Sequence, residues 1–283
     1  MSDSQRATAN NRLAPARKLA RLIGSLASPV APQTCWITGA PLQSHEHGLT
    51  DAVRKKMAQL VLEPYCPRCG SSASQWTSPG KPVSCLRCPT RRLGLDIIVR
   101  AGALAPPLNG LIAQIKFHRR WELTHLLAPL LAQAIQQALL RQPTMAVPPG
   151  VPPRNILVPL PLHWRRRFWR GFNQAEEIAA QTGDILNWPV FDCLRRVRYT
   201  SPQAVADSAT ARADNMRGAF APANDPWLHS ELAGQIVWLV DDICTTGATL
   251  QAAAAALRTL PKNARPVCIN AAVVAVTSLH TAA

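Results

Sequence analysis

One stretch constrains this chain more than any other: Ile236-Val237-Trp238-Leu239-Val240-Asp241-Asp242-Ile243-Cys244-Thr245-Thr246-Gly247-Ala248-Thr249-Leu250. Five consecutive apolar residues without alternation suit a strand buried on both faces, as strands of a parallel sheet are. Two carboxylates follow, then Thr-Thr-Gly-Ala-Thr, then Leu250 and the alanines at 252 to 256, a run that favours helix. The polar segment is therefore expected as a loop joining strand to helix. Phosphates bind there in open α/β sheets, because N–H groups at a helix N-terminus are unpaired, threonine hydroxyls add donors, and Gly247 admits close backbone approach. Carboxylates cannot hold a phosphate, so Asp241 and Asp242 suit sugar hydroxyls or Mg²⁺. Two other readings stay open: a turn whose Asp and Thr only cap a helix, and the acidic pair of a nucleotide hydrolase. The hydrolase needs a Gly-x-x-x-x-Gly-Lys-Ser/Thr loop, and none occurs among the 14 glycines.

At 283 residues, 47% of them hydrophobic, the chain can bury one good-sized domain and carry a smaller module. Its 31 basic and 16 acidic residues give a net charge of +15, which attracts polyanions such as phosphorylated substrates or nucleic acid and equally serves plain solubility. No run of 18 or more apolar residues occurs, so no membrane span is expected.

Cys66-Pro67-Arg68-Cys69 and Cys85-Leu86-Arg87-Cys88 form a Cys-x-x-Cys pair repeated after 15 intervening residues. Four thiolates so spaced match a structural zinc site; two disulfides or a redox pair would leave the duplication unexplained. A ribbon this small has no core of its own, so metal would supply much of its folding energy. Four of eight cysteines at metal-ligand spacing point to a reducing setting and a cytoplasmic protein. Before the ribbon, residues 1–60 read as a basic arm. Leu19, Leu22, Ile23 and Leu26 have helical spacing among Arg17, Lys18 and Arg21. No secretory apolar core follows; an organellar transit peptide is the alternative to a docking arm. Cys35 with His45, Glu46 and His47 reads as a surface turn or a partial metal site.

The expected organisation is an arm (1–60), a zinc ribbon (61–94) and an α/β domain (95–283). Strands are expected near 96–101, 155–159, 185–191, 236–240 and 267–276, and helices over 107–117, 122–140 and from about Asn173. After the strand at 155–159 comes Arg165-Arg166-Arg167-Phe168-Trp169-Arg170-Gly171-Phe172-Asn173-Gln174. Its arginine forks fit pyrophosphate oxygens. A solvated or nucleic-acid-facing stripe is the other reading. Cys193, Cys244 and Cys268 are left over: Cys244, inside the expected phosphate loop, reads as a tolerated small residue or as an oxidisable thiol at a helix N-terminus, and Cys268 as core packing.

The Asp-Asp-to-Thr-rich stretch resembles the signature with which type I phosphoribosyltransferases bind phosphoribosyl pyrophosphate (PRPP). Taken together, the cysteine module, Arg170-Gly171-Phe172-Asn173-Gln174, and the spaced set Arg198, Thr200, Gln203, Arg212, Asn215 and Phe220 resemble the ComF family of competence-related phosphoribosyltransferase-like proteins. Lys116-Phe117 after Leu111-Ile112 fits the same family, and the resemblance covers roughly residues 62 to 276.

The resemblance implies a mainly parallel sheet with helices on both faces and a four-cysteine zinc ribbon (Cys66, Cys69, Cys85, Cys88). It implies Asp241 and Asp242 on the ribose hydroxyls and Cys244, Thr245, Thr246, Gly247, Ala248 and Thr249 around the 5′-phosphate. Arg165, Arg166, Arg167, Arg170, Asn173, Gln174, Arg198, Gln203, Arg212 and Asn215 become pyrophosphate or closing-loop candidates. PRPP with Mg²⁺, transfer to a nitrogen acceptor, and a setting in DNA uptake beside single-stranded DNA and a competence helicase are what the family implies. A sensing module or a non-catalytic DNA-handling factor built on the same pocket is the alternative. Family members often carry further cysteine pairs before the ribbon, whereas here Cys35 stands alone.

Overall fold

The computed structural model describes residues 34–72, 85, 93–141, 153–198 and 216–277. The chain divides into two compact units, Met1–Thr50 and Asp51–Ala283.

The larger unit is an α/β fold. Four strands, β1 (Ile98–Ala103), β2 (Asn155–Pro159), β5 (Ile236–Cys244) and β6 (Cys268–Val276), form an all-parallel sheet in the order β1-β6-β5-β2. A second, antiparallel pair joins β3 (Leu194–Arg196) to β4 (Phe220–Pro222). Among the described residues the α-helices are α1 (Asp51–Leu62), α2 (Leu108–Phe117), α3 (Thr124–Arg141), α4 (Trp164–Arg170), α5 (Gln174–Leu186), α6 (Pro226–Leu232) and α7 (Ala248–Arg258).

Both sheet faces are covered, which is why the strands read as unbroken apolar runs. On one face Val237, Leu239, Ile156 and Val158 pack with Leu250, Ala253 and Leu257 of α7, with the β3–β4 pair and with Leu228 and Leu232 of α6. On the other face α5 lies on β2 and β5, and α3 lies on β1, β6 and α5. There Trp238 meets Trp188 with ring centres 5.9 Å apart, and its buried indole N–H donates to Asn155 Oδ1 at 2.9 Å. α3 together with the turn before it (Trp121–Arg141) is long and apolar enough to cross a membrane. It is instead packed as a core helix, burying Leu127, Leu131 and Ile135.

Three expected strands move. The first and last begin later, at Ile98 and Cys268, although Asp96 already exchanges bonds with Ile269 through its N–H (3.0 Å) and Oδ2 (2.8 Å). The third, 185–191, is not a strand. Ile185 and Leu186 complete α5, which ends at Asn187 in the left-handed region (φ 54°) with Trp188 N–H bonded to Gly183 O. Pro189 has no N–H to give a ladder, so only Val190 bridges Leu157.

The cysteine turn is seated on the sheet edge. Cys66 N–H donates to Ser71 O at 2.9 Å and Gly70 N–H to Cys66 O at 2.7 Å, closing a knuckle whose Gly70 sits at φ +74°. A Cβ on Gly70 would stand 2.8 Å from Val276 Cγ2, so glycine is required twice over, for conformation and for contact. Pro67 O accepts from Ile98 N–H at 2.7 Å, which carries the knuckle onto β1.

The described part of the smaller unit repeats that backbone. Cys35 N–H donates to Ala40 O, Gly39 N–H to Cys35 O, and Thr34 bridges Pro41 as Tyr65 bridges Ser72. Gly39 has φ +70°. Thr38 thus stands where the second cysteine of the knuckle is found at Cys69. Burial raises the Cys35 thiol, but the Thr38 hydroxyl and N–H groups of Thr38, Thr50 and Ile37 bring it down to about 7. Glu46 is buried and its Oε2 accepts Gln43 N–H at 2.8 Å.

Candidate ligand-binding site

β5 runs on through both carboxylates to Cys244, which pairs with Val276, so the loop is only Thr245-Thr246-Gly247. Successive strand residues face opposite sides of the sheet, and Asp241 and Asp242 therefore have different surroundings. Asp242 is 5% exposed. Its Oδ2 accepts from Lys116 Nζ at 2.9 Å, from the last turn of α2, and from Gln174 Nε2 at 2.8 Å, from the first residue of α5. Asp241 Oδ1 accepts Asp242 N–H at 2.9 Å. Burial, then the neighbouring Asp242 charge, push the Asp241 carboxyl up to about 7 against the opposing pull of Lys116 and Arg196.

The loop matches what a bound anion needs. Gly247, which has no side chain of its own, stands at the N-cap of α7 with φ 76°. The Thr246 hydroxyl accepts Ala248 N–H at 3.4 Å, Thr245 is exposed and Thr249 is half-buried. Cys244 and Ala248 are buried below the turn. α7 has eleven residues, so its N-terminus carries the partial positive charge of a full helix.

The arginine segment forms α4, a short helix after β2 at the same sheet edge. Arg165 and Arg166 fall within it. Arg167 pairs with Glu176 at 2.9 Å, and Arg170 ends the helix. Asn173 is committed to structure: its Oδ1 accepts Ala175 N–H as the α5 cap, and its Nδ2 donates to Leu160 O at 3.0 Å and to Glu176 Oε1 at 3.1 Å. Gln174 instead reaches the acidic pair. Arg198 is exposed just beyond β3. Thr200, Gln203, Arg212 and Asn215, and with them most of the expected closing loop, lie outside the described residues. Sequence reading did not place two cations at the site. Lys116 appeared only as a family-like helix ending, and Arg196 carried no signal beyond its charge.

Of the four expected zinc ligands, Cys66, Cys69 and Cys85 come together, their sulfurs all within 4.8 Å of one another. All three are buried and unbridged. Ser71 Oγ lies 3.0 Å from Cys69 Sγ and 3.1 Å from Cys85 Sγ. Such a soft, buried donor set could hold a metal ion such as zinc. Cys88 lies outside the described residues.

No family model matches the chain. Whole-sequence comparison does find relatives. The chain is 32% identical over 222 residues to the protein named DNA utilization protein YhgH of Escherichia coli (strain K12), covering 77% of this chain and 88% of that one. The Salmonella typhi protein of the same name matches to the same extent. Competence protein F of Haemophilus influenzae is 31% identical over 216 residues, covering 76% of this chain and 86% of the relative. Identity at this level over three quarters of the chain, together with the cysteine knuckle and the acidic strand end, places the chain in the ComF family.

Proposed function

We propose that the chain binds PRPP with Mg²⁺ at the carboxyl edge of its parallel sheet and works in the uptake or use of DNA, transferring the phosphoribosyl group to a nitrogen acceptor. The observation that carries this reading is the direct succession, on the central strand β5, of Asp241 and Asp242 and then a Thr-Thr-Gly turn at the start of α7. A carboxylate pair and a helix N-terminus entered through glycine, side by side, suit one ligand that offers hydroxyls at one end and a phosphate at the other. The names of the relatives support the DNA setting.

In this reading Thr245, Thr246 and the first N–H groups of α7 take the 5′-phosphate, and Asp241 and Asp242 meet the ribose hydroxyls. Mg²⁺ bound with the pyrophosphate would supply charge neutralisation to the leaving group. Arginines of α4 lie at the same edge to add cationic stabilisation. The knuckle thiols with Cys88 form a zinc ribbon over 61–94, appended to the domain from 95 onward, in a cytoplasmic protein that meets single-stranded DNA and a competence helicase. The test is calorimetric titration of PRPP with Mg²⁺ into the wild type and the Asp241→Asn, Asp242→Asn double variant. Binding in the first and none in the second supports the reading. No binding to folded wild type refutes it.

A second reading draws on α4 itself, which exposes Trp164 (66%), Phe168 (89%) and Trp169 (55%), with Arg119 lying 5.5 Å from the Trp169 ring. Aromatic faces among arginines suit stacked bases of single-stranded DNA without any use of the pocket. Under this reading Trp169→Ala and Arg167→Ala weaken oligonucleotide binding and Arg167→Ala also flattens its salt dependence, while Asp241→Asn leaves binding unchanged.

A further inference from the structure

A carboxylate buried at the edge of a sheet needs a cation, and Asp242 already has one. Its Oδ2 takes Lys116 Nζ at 2.9 Å and Gln174 Nε2 at 2.8 Å, from two helices that reach it from different parts of the chain. Neither partner is a loosely held surface group. The Lys116 side chain is 17% exposed, and α2 is held by the buried Leu108, Leu111, Ile112 and Ile115. Gln174 is 4% exposed, and its Oε1 has no partner among the described residues. A buried amide that donates at one end and is unsatisfied at the other is incomplete until something donates to it.

We propose that Lys116 is the built-in counter-ion of the acidic strand end: with Gln174 it fixes Asp242 and bars a free divalent cation from that carboxylate, so that the acidic pair and the Gln174 carbonyl are presented to ligand hydroxyls rather than to a free metal ion. The reasoning is electrostatic and geometric. A divalent ion bound to Asp242 would stand within a few ångströms of the ammonium, with little water between to screen the repulsion. Both strong donors converge on one oxygen, so the carboxylate is held in one orientation before any ligand arrives. Asp241 is the member whose proton affinity is raised. The groups that act on it are Asp242 beside it, Lys116 from α2 and Arg196 from β3. The Gln174 Oε1 atom, next to the bond its amide makes, supplies an acceptor for a ligand hydroxyl. Lys116 is thus a positioning residue that acts through Asp242. The part of this inference that concerns the ligand rests on the PRPP reading; the part that concerns the cation does not.

The experiment is Mn²⁺ titration of the full chain without PRPP, followed by electron paramagnetic resonance, for wild type, Lys116→Met, Lys116→Arg and Lys116→Met with Asp242→Asn. Lys116→Met should bind Mn²⁺ at least about tenfold more tightly than wild type, Lys116→Arg should stay near wild type, and the added Asp242→Asn should abolish the gain. If Lys116→Met fails to fold by circular dichroism, Lys116→Gln carries the same expectation with a polar side chain. Equal Mn²⁺ affinity in wild type and the neutral variant overturns the proposal, as does a gain that survives Asp242→Asn. A gain in Mn²⁺ affinity alongside wild type that ignores PRPP keeps the counter-ion and refutes the PRPP reading. PRPP binding with no Mn²⁺ gain does the reverse.

Discussion

Arg100, buried in the middle of β1, donates through Nη2 to Ser72 Oγ at 2.9 Å, and so ties the cysteine knuckle to the parallel sheet. Its guanidinium also lies 5.2 Å from the Tyr65 ring, and the Glu63 carboxylate is 3.8 Å away. Burial lowers the Arg100 pKa, with Glu63 opposing. The knuckle and the strand are thus one packed unit, and loss of either should be felt by the other.

Chelation of a metal-loaded preparation is accordingly expected to lower the melting temperature of the whole larger unit. Arg100→Ala should cost about 2–3 kcal/mol through lost packing and a lost hydrogen bond. The two effects should be less than additive, because both loosen the same seat. Thermal scans of both proteins with and without chelator measure this; full additivity would mean the knuckle is energetically separate.

Asp241 makes stability depend on pH in a stated direction. Its carboxyl rises from the ordinary 3.8 to about 7 in the fold, so between those values the native state holds the proton more tightly than the unfolded chain does. Its contribution is fully present below about pH 4 and is lost as pH rises through about 7. Asp241→Asn should then be more stable than wild type at pH 8 by about 1–3 kcal/mol, with the difference shrinking towards pH 4. Urea unfolding at pH 4.5, 6 and 8 checks the trend, and a gain that grows towards acid would contradict it.

Asn173 serves as both helix cap and donor to Leu160 O. Asn173→Ala is expected to cost about 2 kcal/mol. Asn173→Asp should not restore it, since aspartate keeps the cap but loses the donor and places a second carboxylate next to Glu176. Denaturant midpoints of the two variants decide; recovery by aspartate would assign the whole effect to capping.

Gly247→Ala tests whether the Thr245-Thr246-Gly247 turn receives the phosphate of the proposed ligand. At φ 76° an alanine pays about 1 kcal/mol of backbone strain. The change also adds a methyl group at the N-cap of α7. Affinity for inorganic phosphate or PRPP should fall more than stability does, as read by calorimetry against a melting curve.

Much of this protein was legible in local sequence because burial leaves a local mark. The run from Ile236 to Val240 announces a strand covered on both faces, the Cys-x-x-Cys spacing brings Cys66 and Cys69 into one knuckle, and the cap at Asn173 marks the start of α5. Ile185 and Leu186 misled, because a short apolar run reads equally as a strand or as the last turn of a helix, and only the left-handed turn at Asn187 separates them. Local pattern also could not say that β5 continues to Cys244, since that depends on pairing with β6, nor that the two aspartates therefore part company. The meeting of Lys116 and Gln174 on Asp242 was decided by tertiary structure alone: one carboxylate collects donors from the ends of two helices, and no periodicity within a helix encodes which strand its end will face.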